Sequence, residues 1–133
     1  MREVSDRADS ASVDAGGIRP PPAFAVVAGE PRDGVTTVVL DGEMDLASTH
    51  ELRAAVDGAE GRAIILDLER VTFVDSAVLK ELLRARAELW GRQVRLVLAA
   101  PPRMVTRLLH LTRTAELFET ARTVAEAEQR LAG

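Results

Sequence analysis

Short apolar runs alternate with segments of helical spacing along most of the chain. Runs rich in Val, Ile and Leu predict strands, and they span residues 24–27, 35–40, 63–68, 94–98 and 117–118. Apolar residues three and four apart predict helices, and these segments span residues 48–56, 76–90, 103–111 and 123–131. Strands that alternate with helices form mainly parallel sheets with right-handed crossovers. The pattern therefore predicts a single α/β domain with a mixed, mainly parallel sheet of four to five strands and about four helices.

Turn residues and composition indicate how this domain begins. Residues 29–34 contain Pro31 and Asp33-Gly34, which favour a tight turn and predict that a β-hairpin opens the sheet. Residues 1–22 are rich in Ser, Asp, Gly, Arg and Pro, show no apolar period and end in Pro20-Pro21-Pro22. This composition predicts a disordered N-terminal tail, so the folded domain is expected to span residues 23–133.

A strand, a loop and the central helix follow one another in residues 64–90. The apolar run 64–68 is typical of a strand buried on both faces. Glu69-Arg70 is expected to turn the chain towards solvent before residues 71, 73 and 74 re-enter the core. The apolar positions of the helix, expected in the core, are Leu79, Leu82, Leu83, Ala87 and Trp90. The opposite face is expected to carry Lys80, Glu81, Arg84 and Glu88.

Asp75 and Ser76 stand at the start of that central helix. Both residue types are preferred N-caps, so a purely structural role is one interpretation. However, the Ser/Thr-x-x-Glu form of a capping box occurs at 48–51 and 123–126, whereas the third residue after Ser76 is Leu79. Because backbone N–H groups and the helix dipole favour a negative group there, a site for an anionic group is the other interpretation. The residue pattern leaves both open.

Composition and charge exclude several classes of function. The net charge of −4 argues against general nucleic-acid binding, which needs a basic surface. The chain has no cysteine, and His50 and His110 lie on different predicted helices without ligand partners at metal spacing. No apolar stretch approaches the length of a membrane span, and the N-terminus lacks an apolar signal-peptide core. A cytoplasmic protein without membrane contact is therefore expected.

Enzymatic motifs are also missing. The acids near predicted strand ends are Asp41, Glu43, Asp45, Asp67 and Asp75. A magnesium-dependent phospho-receiver would need paired acids after its first strand and a lysine after its last-but-one strand. Here Gly29-Glu30-Pro31 stands at the end of the first strand, and Lys80, the only lysine, lies on the central helix. Ser76 lacks a Gly-x-Ser-x-Gly elbow, and no glycine-rich nucleotide-binding motif occurs. We therefore expect no enzyme activity, no catalytic residue, no cofactor and no bound metal.

Three stretches resemble one known family. Val71-Thr72-Phe73-Val74-Asp75-Ser76 resembles the signature of STAS domains, the fold of anti-sigma-factor antagonists. The segment 40–47, LDGEMDLA, is similar to the family's Leu-x-Gly-Glu-Leu-Asp segment. The segment 105–118 is similar to the helix, loop and short strand near the end of such domains. The resemblance covers residues 23–131 and implies a STAS domain over 23–133.

The resemblance also implies a function. Unmodified, such a domain binds an anti-sigma factor of the serine-kinase type and so releases a sigma factor, and phosphorylation of the motif serine, here Ser76, ends the binding. The expected partner-binding residues are Asp45, Asp75, Ser76, Lys80 and Glu81. We expect a monomer or weak dimer.

The motif departs from the family pattern after Ser76. A small residue and then glycine usually follow, whereas here Ala77 and Val78 do, which leaves Ser76 as the only hydroxyl acceptor in the motif. The β-branched Val78 is expected either to narrow a kinase's approach or to suit a partner shaped for it. It keeps open the alternative function, a non-phosphorylated STAS scaffold or sensor module that binds a protein partner or a small ligand.

Overall fold

The structure is a computed structural model, and it describes residues 23–132. The strands are β1 (Phe24–Ala28), β2 (Val35–Met44), β3 (Ala63–Val74), β4 (Arg95–Ala99) and β5 (Glu119–Ala121). The helices are α1 (Thr49–Gly58), α2 (Ser76–Gly91), α3 (Arg103–Leu111) and α4 (Val124–Leu131). Short 3₁₀ turns occupy Leu46–Ser48 and Ala115–Leu117. The predicted N-terminal tail lies outside the described residues.

The five strands form one sheet in the order β1-β2-β3-β4-β5. β1 pairs antiparallel with β2, and every later pair is parallel. Each parallel step is made through a helix, because α1, α2 and α3 connect β2 to β3, β3 to β4 and β4 to β5. The predicted α/β class, the opening hairpin and the number of helices are confirmed.

Helices cover both faces of the sheet. Alternate residues of β3 belong to two apolar clusters: Ile64 and Leu66 pack in the larger one and Ile65 in the smaller. The larger cluster also contains buried residues of α1, α2 and α3, such as Leu52, and the smaller contains Leu131 of α4. Because successive side chains of a strand point to opposite faces, α1–α3 cover one face of the sheet and α4 covers the other.

β3 is longer than predicted, because the chain bends within the sheet instead of leaving it. Val39 pairs with Asp67 and Asp41 with Arg70, so β3 carries an extra residue beside β2. This bulge is where the sequence suggested a turn at Glu69-Arg70, and β3 then continues to Val74. Bulges bend a strand and change which side its residues face. The expectation that Phe73 re-enters the core is wrong, since its side chain is 50% exposed.

The buried stripe of α2 also differs from the predicted one. The core face comprises Val78, Leu79, Leu82, Ala85 and Leu89. Trp90, expected in the core, is 77% exposed, and Ala87 is exposed as well. The helix contains two overlapping apolar stripes, and the one from Val78 to Leu89 faces the sheet. The predicted strand at 117–118 is displaced too, since a 3₁₀ turn ends at Leu117 and β5 begins at Glu119.

Candidate functional site

The loops after β2 and β3 lie side by side at the carboxyl edge of the sheet. Met44 and Val74 are partners in the register of β2 and β3. The next N–H, that of Asp75, donates to the carbonyl oxygen of Met44 at 3.2 Å. Parallel strands end at the same edge of a sheet, so the two segments that carry the sequence motifs form one surface. The turn Leu46–Ser48 also contacts α2.

Asp75, and not Ser76, caps α2. Its backbone is extended, with φ −102° and ψ −178°, and its Oδ1 accepts the N–H of Val78 at 3.0 Å. Ser76 is the first residue of the helix, and its side chain is exposed. The structural role therefore belongs to Asp75, and the hydroxyl of Ser76 stands at the helix N-terminus, where the dipole favours negative charge.

Asp45 has a capping role of its own, at the turn before α1. Its Oδ1 accepts the N–H of Ala47 at 3.0 Å. The buried Ser48 completes a reciprocal box, because its Oγ accepts the N–H of Asp45 at 3.0 Å and donates to the Asp45 carbonyl at 2.8 Å. Ser48 makes no side-chain cap of α1, so the Ser48-x-x-Glu51 sequence does not form a capping box there. Asp45 fixes the turn that follows it.

Of the two charged residues expected beside Ser76, only Lys80 is exposed. Glu81 is 4% exposed, so the expectation that it lies on the open face of α2 is wrong. Its carboxylate accepts hydrogen bonds from Arg53 of α1 at 2.9 Å and from Arg84 at 2.8 Å. Because α1 brings Arg53 against this part of α2, a carboxylate can be buried there with its charge balanced.

The guanidinium of Arg84 extends this network. It also donates to Asp57 of α1 at 3.1 Å. Burial alone would lower the pKa of Arg84, but the hydrogen bonds and charges of Glu81 and Asp57 outweigh it, and the pKa is raised. This network of four side chains holds α1 and α2 together, one to three turns of α2 beyond Ser76. Its members are Arg53, Asp57, Glu81 and Arg84.

Val78 does not obstruct Ser76. Its side chain is 1% exposed and packs in the larger apolar cluster. The expectation that this β-branched residue narrows a kinase's approach is therefore wrong, because the side chain points into the core below the helix start. Ala77, the other departure from the motif, is only partly exposed.

Sequence reasoning missed two large apolar side chains beside the site. Leu46, directly after Asp45, is 70% exposed, and Phe73, two residues before Asp75, is 50% exposed. No residue pattern marks Leu46 as exposed, since it follows Leu40 and Met44 at even spacing and both of those are buried. No such signal exists for Phe73 either, because its exposure depends on the register shifts between β2 and β3.

The described residues form neither a metal-binding cluster nor a membrane-spanning helix. Within residues 23–132 no group of three or more His, Cys, Asp or Glu side chains is arranged to hold a metal ion. In the same part of the chain no helix combines the length and apolarity that a membrane span requires. What the arrangement offers is a hydroxyl at a capped helix start, an adjacent rigid turn and an exposed lysine.

Comparison with known proteins identifies the family. The family model of the STAS domain matches residues 28–127. The chain therefore belongs to the STAS domain family, as the sequence motifs indicated. No curated protein matches the chain.

Solved structures agree with this assignment. An anti-sigma factor antagonist from Mycobacterium paratuberculosis is 26% identical, with a TM-score of 0.72 over 86% of this chain and 98% of that one. The Bacillus cell fate determinant SpoIIAA in its phosphorylated form is 23% identical, with a TM-score of 0.66 over 81% of this chain and 100% of that one. A sulfate transporter family protein from Wolinella succinogenes is 19% identical, with a TM-score of 0.67 over 77% and 89%. The last two likenesses show the fold alone.

Proposed function

We propose that this protein is an anti-sigma-factor antagonist, a non-enzymatic cytoplasmic regulator that binds an anti-sigma factor of the serine-kinase type and is released when Ser76 is phosphorylated. The observation that carries the proposal is the exposed hydroxyl of Ser76 at the first position of α2, beside a cap that Asp75 already supplies. The similarity of this chain to an anti-sigma factor antagonist, at 26% identity, supports the same function.

The fold can accept a phosphate on Ser76. A phosphate adds about −1.5 to −2 charges and three acceptor oxygens at pH 7. The N-terminus of a helix stabilises such a charge by its dipole and its free N–H groups. Because Val78 donates to Asp75 and the core lies below the helix, no native hydrogen bond of the cap has to break.

The same phosphate opposes partner binding. A partner that packs over the start of α2 must remove water from the phosphate, and burying an unpaired charge costs several kcal/mol, about 2–5 or more. The carboxylates of Asp75 and Asp45 lie in the same surface and add like charge. Lys80, one helical turn after Ser76, is an exposed basic residue on the same helix. Phosphorylation therefore separates a binding form from a non-binding form without a change of fold.

The test is phosphorylation and binding with each serine-kinase-type anti-sigma factor encoded in the same genome. Intact mass after incubation with kinase and ATP should rise by one phosphate, and Ser76→Ala should abolish the rise while keeping affinity. Ser76→Asp should fold normally and bind poorly. Thr120→Asp, at an exposed hydroxyl on β5, is the control for added charge and should bind like the unmodified protein. Equal affinity of properly folded Ser76→Ala and Ser76→Asp proteins would exclude the switch.

The alternative is a STAS module that senses a small ligand without being phosphorylated. The observation in its favour is a cleft of about 520 Å³, lined among others by Arg86, Trp90 and Leu117. Pockets of this size hold small ligands in other proteins. The cleft lies beside the C-terminal end of α2, so it does not include Ser76. Native mass spectrometry of protein purified from its source would reveal such a ligand as a bound mass that the Trp90→Ala variant lacks.

A further inference from the structure

The apolar side chains of Leu46 and Phe73 flank the proposed switch. Leu46 lies in the turn after β2 and Phe73 near the end of β3, where its register partner is Glu43. Both residues therefore belong to the two segments that meet beside Ser76. They are 70% and 50% exposed, and exposed large apolar side chains beside a polar site are typical of protein-binding surfaces.

Leu46 is held rigidly in this exposed position. The turn that carries it is closed by the reciprocal hydrogen bonds of Asp45 and Ser48. The carbonyl of Leu46 itself accepts the Thr49 hydroxyl at 2.8 Å. Phe73 is part of a paired strand. A side chain on a fixed backbone loses little entropy when a partner covers it, so both are well placed to contribute to binding.

We propose that Leu46 and Phe73 are the apolar anchors for the anti-sigma partner, and that Asp45 is a positioning residue that presents Leu46. This inference rests on the proposed function. A partner that loses affinity when Ser76 is phosphorylated is expected to cover Ser76, and covering Ser76 brings it over these neighbouring segments. The partner is therefore expected to carry apolar pockets beside the polar area that meets the Ser76 hydroxyl.

Exposed apolar residues far from the site provide matched controls. Leu111, at the end of α3, is 73% exposed, and Val27, on the edge strand β1, is 60% exposed. α3 follows the carboxyl end of β4, so its last residue lies away from that edge, and Val27 pairs with Val39 in the middle of β2. Leu46→Ala is compared with Leu111→Ala, and Phe73→Ala with Val27→Ala.

Affinity for the anti-sigma factor that binds the unmodified protein is then measured for each variant. Leu46→Ala and Phe73→Ala should each weaken binding by about tenfold or more, as truncated hot-spot residues do, while the two controls change it less than about twofold. Phe73 is half-buried, so Phe73→Leu is added as a variant that keeps the strand packed, and it should retain most of the affinity. Thermal midpoints verify that each variant is folded.

Three results separate this inference from the proposed function. A loss of affinity in Leu46→Ala and Phe73→Ala, with affinity kept in the two controls, supports the anchors. Unchanged affinity in properly folded Leu46→Ala and Phe73→Ala proteins, with weak binding by Ser76→Asp, overturns the anchors and leaves the switch in place. No binding by any serine-kinase-type anti-sigma factor overturns both.

Discussion

Arg53 of α1 donates from Nη2 to Oε1 of Glu81 on α2 at 2.9 Å. Glu81 is 4% exposed and also accepts from Arg84 at 2.8 Å. A single buried carboxylate thus joins α1 to α2, the helix whose start forms part of the candidate site. Removing its charge leaves Arg84, 29% exposed, and Arg53, 53% exposed, without their common partner, and taking one partner out of an ion pair is the costly way to break it.

Glu81→Gln should therefore lower the free energy of unfolding. Because Arg53 and Arg84 retain access to water, we expect a loss of about 1–3 kcal/mol, below the range for a fully buried pair. Urea denaturation at neutral pH measures it. The matched control is Glu88→Gln, which removes an exposed carboxylate 3.6 Å from Arg84 and should change stability by less than about 0.5 kcal/mol. Equal effects of the two substitutions would contradict a structural role for Glu81.

The glycine of the segment 40–47, Gly42, is required for a steric reason. Gly42 has φ +91°, and a Cβ there would collide with the carbonyl oxygen of Ala23. Gly42→Ala should destabilise the protein by about 1–3 kcal/mol, because it combines backbone strain with displacement of the chain before β1. Gly58→Ala is the control, since its Cβ would meet nothing within 4 Å, and it should be neutral or slightly stabilising. Both are measured by denaturant unfolding.

The elements were predictable from sequence because strand and helix periods differ along the chain. Which face of α2 is buried was not, since two apolar stripes overlap and only the packed sheet selects the one that contains Val78. The burial of Glu81 depends on Arg53, twenty-eight positions earlier in the sequence. Local sequence cannot reveal such a pairing.

The site was predictable from its motifs but not in its details. Asp75 and Ser76 are both good caps, and the extended backbone of Asp75 decides between them. The same holds for Ser48, whose hydroxyl is engaged by Asp45 and not by α1. The exposure of Phe73 follows from the irregular register of β3 with β2, which no residue pattern indicated.

A chain that begins at Ala23 should fold with unchanged stability. The composition of residues 1–22 argues against a contribution to the core, whereas Ala23 is needed because its carbonyl accepts the N–H of Glu43 at 2.8 Å. The free energy of unfolding measured with urea should agree with that of the full chain within about 0.5 kcal/mol. A loss of more than about 1 kcal/mol would show that the tail is structural.

Lowering the pH should decrease the free energy of unfolding, partly because the Glu119 carboxylate becomes protonated. The hydrogen bonds from Arg95, at 2.7 and 2.8 Å, together with the charges of Arg95 and Arg130, lower the pKa of Glu119 below its ordinary value of 4.5 despite partial burial. Because the folded pKa is depressed, the stabilisation is complete above about pH 4.5 and is lost as the pH falls through the folded value.

Glu119→Gln should therefore cost about 0.5–1.5 kcal/mol at pH 7, and its deficit relative to the native protein should shrink as the pH is lowered towards about 3. Urea unfolding at several pH values measures the difference. Glu116→Gln, at an exposed position in the preceding 3₁₀ turn, should leave stability unchanged throughout. A Glu119→Gln deficit that stays constant with pH would contradict the ion-pair explanation.

The contribution of the Asp45 charge and that of its hydrogen bond can be tested separately. Asn keeps an Oδ1 acceptor for the N–H of Ala47 and so should preserve the turn that presents Leu46, whereas Ala removes it. If Asp45 is a positioning residue, Asp45→Asn should bind the anti-sigma factor within about threefold of the native protein, and Asp45→Ala should lose about tenfold. Amide exchange of Ala47 should speed up in Asp45→Ala alone, since that N–H loses its acceptor. Equal weakening in both variants, with Ala47 still protected in Asp45→Asn, would show instead that the partner reads the negative charge.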